Sequence, residues 1–338
     1  MEITAQSPCR VDLAGGTLDI WPLYLFHEGA VTVNFAVDRY TSCTLRTRED
    51  SRIILRSSDQ RGEEEYASLD DLRAARKYKL PLLAWVVRHF QPSTGIELST
   101  NSEAPAGAGI SGSSSLIITI SSAFNKLTRA GHDIEKIREI SQNIEAQIIR
   151  VPTGCQDYYP AMYGAVSALE LTEAGIIRKQ LPVDLAEFNQ RIVLAYTGKP
   201  RNSGINNWEV TKAHINGDKT VHKNFERISA IAQALRSALE RSDWNETARL
   251  IREEWNHRRK NAPGITTELI DQMVEAARKA GARAAKVCGA GGGGCVFFLV
   301  EPDAREAVTA VIEKLGAEVL PVRVAPKGVK VRTAGALA

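Results

Sequence analysis

Two carboxylates lie near the point where a long amphipathic segment gives way to a turn. Glu145 belongs to the segment from Asp133 to Arg150, whose isoleucines recur at spacings of three and four and therefore predict one apolar helix face. At about 100° per residue, Glu145 falls beside the edge of that face, where a carboxylate is costly to bury unless it is paired or binds a cation. Asp157 follows the turn and lies at or near the start of the next short helix. Phosphoryl transfer needs a metal ion to neutralise phosphate charge and often an acidic group to orient or deprotonate the attacking hydroxyl, and these carboxylates suit those two roles.

Each carboxylate also has an ordinary structural interpretation, which the sequence leaves open. Glu145 could be a surface glutamate at the rim of the apolar face, and periodicity alone favours that interpretation. Asp157 could cap the following helix, which is the commonest role of an aspartate in such a position.

A glycine- and serine-rich turn runs from Pro105 to Ser115 and leads into a helical stretch from about Ser114 to Lys126. Glycines let the backbone turn tightly and approach a ligand, while a helix start presents free amide donors and the positive end of the helix dipole. Such a turn suits a polyphosphate, and its serine hydroxyls suit Mg²⁺, which prefers oxygen ligands. A flexible loop with a serine-rich helix cap is the alternative that composition leaves open.

A second glycine run lies near the C-terminus, from Gly289 to Gly294. It contains a GxGxxG match, but a dinucleotide-binding fingerprint requires a helix to follow. The residues that follow, Cys295 to Val300, are typical of a strand, so we reject the dinucleotide interpretation. The chain also lacks the GxxxxGK[ST] pattern of P-loop enzymes. The run lets the backbone pass close to either a ligand or a neighbouring helix.

Strand and helix patterns interleave along the chain, which favours an α+β or α/β class. Strand patterns dominate the first 60 residues, including 30–35 and 43–46, whereas residues from about 200 to 280 are mostly helical in pattern. A chain of 338 residues exceeds the size at which one hydrophobic core usually stops growing. We therefore expect two lobes with a cleft between them, formed by residues 1–185 and 186–338.

The composition excludes several classes of protein. The net charge is only +3 and basic residues are spread along the chain, so nucleic acid is not an expected partner. The five cysteines form no CxxC pair, and the six histidines show no spacing typical of a metal site and receive no role. The N-terminus does not resemble a signal peptide, and the longest apolar stretch, around Leu116 to Ile120, is too short to cross a bilayer. We expect a cytoplasmic protein without a membrane partner.

Three segments, in order, resemble the motifs of the GHMP kinases, the family named for galactokinase, homoserine kinase, mevalonate kinase and phosphomevalonate kinase. They are Ser7 to Asp19, Pro105 to Ser115, and Gly289 to Gly294, with Glu145 and Asp157 between the last two. The resemblance covers essentially the whole chain. It implies an α+β GHMP kinase fold, with an N-terminal domain like the ribosomal S5 domain 2 fold and a ferredoxin-like C-terminal domain. It also implies ATP and Mg²⁺ as cofactors.

The resemblance implies roles for individual residues as well. Asp157 matches the catalytic aspartate, and Arg10 is similar to the basic residue near the transferred phosphate that also keeps this aspartate ionised. Ser113 and Glu145 match the residues that bind Mg²⁺. ATP would lie between the second motif and the glycine run. The residues of the second motif that are expected to contact it are Pro105, Gly107, Gly109, Ser111, Gly112, Ser113, Ser114 and Ser115.

Within the family, the chain is most similar to the sugar kinases, including the bacterial D-glycero-D-manno-heptose 7-phosphate kinases and the fucose and arabinose kinases. This likeness implies a small-molecule sugar or sugar phosphate as acceptor, phosphorylated at its anomeric C1 hydroxyl, with D-glycero-D-manno-heptose 7-phosphate as one candidate. Asp19 matches the aspartate that binds sugar hydroxyls. Arg201 suits a phosphate on the acceptor, since a guanidinium can bind it with two hydrogen bonds, although a solvated loop arginine is the ordinary alternative. The residues expected to contact the acceptor are Gly16, Thr17, Asp19, Asp157, Arg201, Gly291 and Gly292.

Two segments depart from the family's pattern. Thr17 and Leu18 stand where heptose 7-phosphate kinases usually carry a third glycine and then a threonine, and Ser111 stands where family members commonly have glycine. Two other functions stay open, namely a non-sugar kinase of the mevalonate or homoserine type and a GHMP-fold protein that binds a ligand without catalysis. The sequence is compatible with a monomer or a homodimer.

Overall fold

The computed structural model describes residues 1–200, 203–261 and 264–334. Over these residues, twelve strands and eleven α-helices form two sheets and the helical layers packed on them. The strands are β1 (Glu2–Ala14), β2 (Val31–Thr47), β3 (Ile53–Ser57), β4 (Gly62–Tyr66), β5 (Ile96–Ser102), β6 (Val166–Thr172), β7 (Gly175–Gln180), β8 (Ile192–Tyr196), β9 (Ala282–Val287), β10 (Cys295–Val300), β11 (Glu318–Leu320) and β12 (Lys330–Thr333). The helices are α1 (Leu69–Ala74), α2 (Pro81–Phe90), α3 (Gly112–Thr128), α4 (Ile134–Ile149), α5 (Tyr159–Tyr163), α6 (Leu185–Arg191), α7 (Ser203–Ile215), α8 (Lys219–Glu240), α9 (Trp244–Arg258), α10 (Glu268–Lys279) and α11 (Arg305–Lys314).

The larger sheet is organised around the long strand β2. Residues 31–35 of β2 pair with β6 and residues 41–47 pair with β5, while β1 runs antiparallel to it along most of its length. The strand order is β12-β1-β2-β5-β3-β4, and β6 and β7 extend from the first half of β2. The two strand patterns expected at 30–35 and 43–46 therefore belong to one strand, whose two halves pair with different neighbours.

β1 carries the first motif and directs two charged side chains to the same side. Arg10 and Asp12 are two residues apart, and alternate residues of a strand share a face. The pairing of β1 with β2 shifts register between Pro8 and Cys9, just before Arg10, and again between Asp12 and Ala14. Such irregularities often lie next to active sites, because they re-aim side chains.

The helix predicted over 133–150 is α4. Its apolar face is confirmed, because Ile137, Ile140 and Ile144 are buried against the larger core. The Asp133 side chain caps the first turn by accepting a hydrogen bond from the backbone N–H of Lys136. Across the described residues, no helix is both long and apolar enough to cross a membrane.

The smaller sheet has the order β11-β8-β10-β9, and all of its pairs are antiparallel. β8 leads through helices α7 to α10 into β9, β9 and β10 form a hairpin around the glycine run, and α11 connects β10 to β11. This order and these connections are those of the ferredoxin-like fold, with additional helices before β9. The ferredoxin-like C-terminal part is confirmed. The strand expected after the glycine run is also confirmed as β10, which excludes the dinucleotide-binding interpretation.

The two sheets share part of their hydrophobic core. The ring of Phe35 on β2 lies edge-on to Phe188 of α6 and to Phe297 of β10, with centroids 5.0 and 5.8 Å away. The last strand, β12, returns to the larger sheet and pairs with β1. The division of the chain at residue 185 stays a prediction.

Candidate active site

The first two motifs and the α4–α5 turn meet at a cavity of about 740 Å³. The loop before α3, the turn between α4 and α5 and the residues just after β1 contribute to its lining. Residues singled out in the sequence that line it are Arg10, Thr17, Asp19, Pro105, Gly107, Gly109, Ser111, Gly112, Ser113, Ser114, Glu145, Asp157 and Gly289, the first residue of the glycine run. Folding therefore brings together groups that are as far apart in sequence as Arg10 and Asp157.

Arg10 and Asp157 form an ion pair at this cavity. Arg10 Nε and Nη2 both donate to Asp157 Oδ1, at 2.9 and 2.5 Å, and Arg10 Nη1 donates to the carbonyl of Gly109 at 2.8 Å. Burial alone lowers the pKa of the Arg10 guanidinium, but the carboxylates of Asp157 and Asp12 outweigh it and raise that pKa. The side chain of Asp157 is 31% exposed, whereas that of Arg10 is 3% exposed. The carboxylate of Asp157 is thus hydrogen-bonded by the buried Arg10 and remains accessible from the cavity.

The interpretation of Asp157 as a helix cap is wrong. The N-cap residue of α5 is Tyr158, and no side chain caps this helix. The carboxylate of Asp157 is instead oriented by Arg10, a contact between residues 147 positions apart that no local pattern predicts.

A buried cluster of charges lies behind Arg10. Asp12 accepts hydrogen bonds from Arg258 Nη1 at 3.1 Å and from Lys286 Nζ at 3.0 Å, and Arg10 Nη1 lies 3.3 Å from it. Glu254 pairs with Arg258 at 3.2 Å and with Lys286 at 3.1 Å. Burial by itself raises the pKa of Asp12, but the three surrounding cations, of which Lys286 acts most strongly, hold that pKa well below its usual range. Because buried charges are tolerated only when paired, this cluster fixes β1, α9 and β9 relative to one another.

The glycine run joins this cluster through its backbone. The N–H of Gly289 donates to Asp12 Oδ1 at 2.8 Å, and the Gly289 carbonyl accepts from Arg258 Nη2 at 3.1 Å. At its other end, the run approaches the loop before α3 so closely that a Cβ at Gly294 would lie 2.6 Å from the carbonyl oxygen of Ala108. The close approach that Gly294 permits is therefore to the loop of the second motif.

Glu145 is buried and accepts hydrogen bonds from three hydroxyl groups. Ser113 Oγ donates to Oε1 at 2.6 Å, while Ser114 Oγ and Tyr158 OH donate to Oε2 at 2.8 and 2.6 Å. Burial raises the pKa of Glu145, and the hydroxyl donors oppose this rise without cancelling it. The surface-glutamate interpretation is wrong, since Glu145 is only 6% exposed. A carboxylate with converging hydroxyl oxygens is a set of hard donors of the kind that Mg²⁺ prefers.

The loop before α3 adopts left-handed backbone conformations. Gly107 and Gly109 have φ angles of +67° and +77°, which glycine adopts without strain. Ser111 has a φ of +60° at the N-cap position of α3, and its side chain does not cap the helix. The first amides of this 17-residue helix are therefore available to an anionic ligand. In the described part of the chain, Ser115 is not a lining residue of the cavity, and its buried Oγ donates to the carbonyl of Ser7 at 3.1 Å. Its contact with ATP stays a prediction.

Asp19 is a further acidic group at the cavity and is only 2% exposed. Its Oδ2 accepts the backbone N–H of Gln156 at 2.8 Å, and Gln156 Nε2 lies 3.3 Å from Oδ1. A Cβ at Gly154 would lie 2.1 Å from Asp19 Oδ2, so only glycine fits there. Burial and then the neighbouring charge of Asp157 raise the pKa of Asp19 to about 7. Asp19 can therefore exchange a proton close to neutral pH.

The two residues before Leu18 differ in their surroundings. Thr17 lines the cavity, and its Oγ1 lies 3.4 Å from Oδ1 of Asn207 on α7. Gly16 lies beside the guanidinium of Arg258, where a Cβ would come within 2.6 Å of Nη1. Gly16 does not line the cavity, as far as the described residues show, so its contact with an acceptor stays a prediction.

The remaining predicted contacts to the acceptor lie away from the cavity or outside the described residues. Gly291 packs so closely on Ile265 that a Cβ would lie 2.4 Å from the Ile265 carbonyl oxygen, and the N–H of Gly292 donates to that oxygen at 2.8 Å. Within the described part of the chain, neither glycine lines the cavity. Arg201 lies outside the described residues. All three contacts stay predictions.

The buried cluster contains four residues to which the sequence analysis gave no role, namely Asp12, Glu254, Arg258 and Lys286. Signals for two of them were present, because Asp12 lies between Val11 and Leu13 and Lys286 lies between Ala285 and Val287, where a charge needs a partner. The sequence pattern could not show which residues pair with these charges, since Asp12 and Arg258 are 246 positions apart.

The chain belongs to the GHMP kinase family. Residues 78–165 match the family's N-terminal domain and residues 235–318 match its C-terminal domain, and together these ranges span about half of the chain. The first range contains the loop before α3, Glu145 and Asp157, and the second contains the glycine run. The resemblance and the α+β GHMP kinase fold, expected from the sequence, are confirmed.

Within this family, the chain is similar to proteins whose names specify sugar substrates. It is 27% identical over 322 residues to the D-glycero-α-D-manno-heptose 7-phosphate kinase of Campylobacter jejuni, a match that covers 92% of this chain and 93% of that protein. It is also 27% identical over 340 residues to the L-fucokinase/L-fucose-1-P guanylyltransferase of Bacteroides fragilis, covering 90% of this chain but only 35% of the longer protein. The crystal structure of a D-glycero-D-manno-heptose 1-phosphate kinase from Bacteroides thetaiotaomicron has the same fold, with a TM-score of 0.77 at 23% identity, over 98% of this chain and 99% of that one.

Proposed function

We propose that the protein is an ATP-dependent kinase that phosphorylates the anomeric C1 hydroxyl of a sugar or sugar phosphate. D-glycero-D-manno-heptose 7-phosphate is the first acceptor to test, because the Campylobacter jejuni relative is named for it. The Bacteroides fragilis relative is named for L-fucokinase and L-fucose-1-P guanylyltransferase activities, which supports the choice of C1.

One observation carries the proposal. Asp157, ion-paired with Arg10, lines the same cavity as the buried Asp19 and as Glu145 with its serine hydroxyls. A kinase of this kind needs a phosphate-binding element, a place for a metal ion, and an acidic group at the acceptor, and this cavity offers candidates for each.

The loop before α3 supplies the phosphate-binding element of this proposal. Its glycines leave room for close approach, and the uncapped start of α3 offers amide donors and the positive end of the helix dipole. Arg10 adds a fixed positive charge beside this loop through its bond to Gly109. These donors are preorganised for the negative charge that moves during phosphoryl transfer.

Glu145 and Ser113 would hold Mg²⁺, because a buried carboxylate and a hydroxyl oxygen 2.6 Å apart form a hard donor pair. Ser114 donates to the other carboxylate oxygen and offers a further hydroxyl. When bound, Mg²⁺ neutralises phosphate charge.

In the proposed reaction, the acceptor oxygen attacks the terminal phosphorus of ATP. A new P–O bond forms to the acceptor, the bond between that phosphorus and the β–γ bridging oxygen breaks, and ADP leaves. Asp157 orients the acceptor hydroxyl and accepts its proton, while Arg10 keeps the carboxylate in place and stabilises the transferred group. Asp19 accepts hydrogen bonds from other acceptor hydroxyls.

A panel of acceptors tests the proposal. Mg·ATP-dependent ADP release is measured with D-glycero-D-manno-heptose 7-phosphate, fucose, arabinose, galactose and glucuronate, with mevalonate and homoserine as non-sugar controls. Turnover on a sugar, with a C1 phosphate identified in the product by NMR spectroscopy, is the expected result. Turnover on mevalonate or homoserine alone would contradict the proposal and favour a non-sugar kinase. No turnover on any acceptor, with ATP binding intact, would favour a GHMP-fold binding protein.

If the acceptor that is turned over already carries a phosphate, Arg201 is the first residue to replace at the acceptor site. The cytoplasmic location and the monomeric or dimeric state stay predictions from the sequence.

A further inference from the structure

Three histidines that are scattered in the sequence meet outside the catalytic cavity. His27 follows the short turn after the first motif, His214 lies near the end of α7, and His222 lies in the first turns of α8. One ring nitrogen of each lies within 4.8 Å of the others, and His27 Nε2 is 2.8 Å from His214 Nε2. The rings of His214 and His222 stack with centroids 3.8 Å apart.

Each neutral ring in this cluster keeps one nitrogen lone pair, and hydrogen bonding indicates which nitrogen of His222 carries it. His222 Nε2 lies 3.0 Å from the His214 backbone carbonyl, which can only accept, so Nε2 carries the proton and Nδ1 keeps its lone pair. Between the paired nitrogens of His27 and His214, one carries a proton and the other does not. His214 Nδ1 is also buried, with no hydrogen-bond partner among the described contacts.

Two of the three rings are shielded from solvent, since His27 is 5% exposed and His214 is 1% exposed. Glu226, one turn after His222 on α8, places a negative charge near His27. Histidine binds metal ions as the neutral imidazole, and a nearby carboxylate favours a bound cation.

We propose that His27, His214 and His222 form a transition-metal site that takes Zn²⁺ through three imidazole nitrogens and leaves a fourth position open. Imidazole is a good ligand for Zn²⁺, and three histidines with one open position is an established zinc arrangement. Two nitrogens bound to one tetrahedral Zn²⁺ lie roughly 3.3 Å apart, so His27 Nε2 and His214 Nε2 need to separate by about 0.5 Å. The ring that donates between them must also move its proton to Nδ1, and the stacked rings of His214 and His222 must turn toward the ion.

The site would position the acceptor side of the catalytic cavity. It joins α7 and α8 to the segment that follows the first motif, eight residues after Asp19. α7 also carries Asn207, which lines the cavity and lies 3.4 Å from Thr17 Oγ1. A metal ion at the three histidines would therefore hold α7 against this segment without touching the reacting groups. This last step rests on the proposed function, whereas the metal site itself does not.

Metal binding is tested on the full chain, produced without a histidine tag and treated with a chelator. Co²⁺ titration is followed by visible absorption, since Zn²⁺ is spectroscopically silent, and Zn²⁺ affinity is measured by calorimetry and by displacement of Co²⁺. The expected result is one metal ion per chain, with a Co²⁺ spectrum typical of tetrahedral nitrogen ligands. Removal of one ligand, in His214→Gln or in the half-buried His222→Gln, should weaken Zn²⁺ binding by at least about tenfold.

The matched control is His89→Gln, since His89 is exposed and lies on α2, outside the cluster. Equal Zn²⁺ affinity in wild type and both cluster variants, or no Zn²⁺ binding by the folded wild type, would overturn the proposal. Circular dichroism shows whether each variant folds. If His214→Gln does not fold, His222→Gln still tests the proposal. If the kinase proposal holds as well, Zn²⁺ should lower the KM for the acceptor and leave kcat nearly unchanged. A change confined to kcat would contradict the positioning role but would leave the metal site itself standing.

Discussion

Asp157 Oδ1 accepts two hydrogen bonds from Arg10, one from Nε at 2.9 Å and one from Nη2 at 2.5 Å. The remaining guanidinium nitrogen, Nη1, reaches Asp12 and the carbonyl of Gly109. One side chain thus links the proposed catalytic carboxylate to the buried charge cluster and to the proposed phosphate-binding loop. The orientation of Asp157 depends on contacts from three distant parts of the chain.

This relationship predicts that Arg10→Lys is not a conservative change. Lysine keeps the positive charge but lacks the planar fork that contacts Asp157, Asp12 and Gly109 together. We expect kcat to fall by about 10²–10³-fold, as when one preorganised donor is removed from an active site. Steady-state kinetics checks this, with Arg46→Lys as the matched control, because Arg46 forms an exposed pair with Glu2. An Arg10→Lys enzyme as active as the control would contradict the role of the guanidinium fork.

Glu145→Gln should raise the Mg²⁺ concentration needed for half-maximal activity by at least about tenfold. The amide keeps the shape of the carboxylate but removes the charge that three hydroxyl groups surround. The activity of the variant is titrated with MgCl₂ at saturating nucleotide. Glu139→Gln, an exposed position on the same helix, is the control and should leave the Mg²⁺ dependence unchanged. An unchanged Mg²⁺ dependence in Glu145→Gln would remove this residue from the metal site.

Asp12→Asn should destabilise the fold by about 3–5 kcal/mol, because it leaves three buried cations without their common partner. Urea unfolding at neutral pH measures this change. The exposed Asp303→Asn should stay within about 0.5 kcal/mol of wild type. Similar unfolding free energies for the two variants would show that the cluster does not need its central carboxylate.

Asp19 should make the stability of the ligand-free protein depend on pH in the direction opposite to most carboxylates. Its pKa is raised from an ordinary acidic value to about 7, so the folded state binds a proton that the unfolded state has already released between these values. The contribution of Asp19 to the free energy of unfolding is therefore complete below the pKa of this group in the unfolded chain. It is lost as pH rises through the folded-state pKa of about 7. The slope is at most about 1.4 kcal/mol per pH unit.

Asp19→Asn mimics the protonated group and isolates this effect. The unfolding free energy of the variant, relative to wild type, should increase from about pH 5 to about pH 8. Asp303→Asn, measured in parallel, should show no such trend. A constant difference between Asp19→Asn and wild type over this range would contradict the raised pKa.

The sequence predicted the elements that depend on local pattern. The isoleucine spacing of α4 and the apolar strand after the glycine run were both confirmed, because a period of three to four residues or a short apolar run is visible within a few consecutive residues. The resemblance supplied what local pattern cannot, namely the two-part fold and the pairing of a serine loop with a distant glutamate.

The burial of individual side chains and their contacts with distant residues could not be predicted from local sequence patterns. Glu145 is more deeply buried than its place at the edge of the apolar face indicated, since the hydroxyls of Ser113 and Ser114 come from another helix. The three clustered histidines were passed over because a spacing rule tests neighbours in sequence, whereas His27 and His214 are 187 positions apart.

The most direct test of the account is the replacement Asp157→Asn, assayed for both turnover and ATP binding. A general base contributes about 10²–10⁴-fold, so kcat should fall by that order while the Kd for Mg·ATP, measured by calorimetry, stays close to the wild-type value. Such a result would assign Asp157 to the chemical step. Equal losses of turnover and ATP binding, or full activity in the variant, would contradict the central claim that Asp157 activates the acceptor hydroxyl.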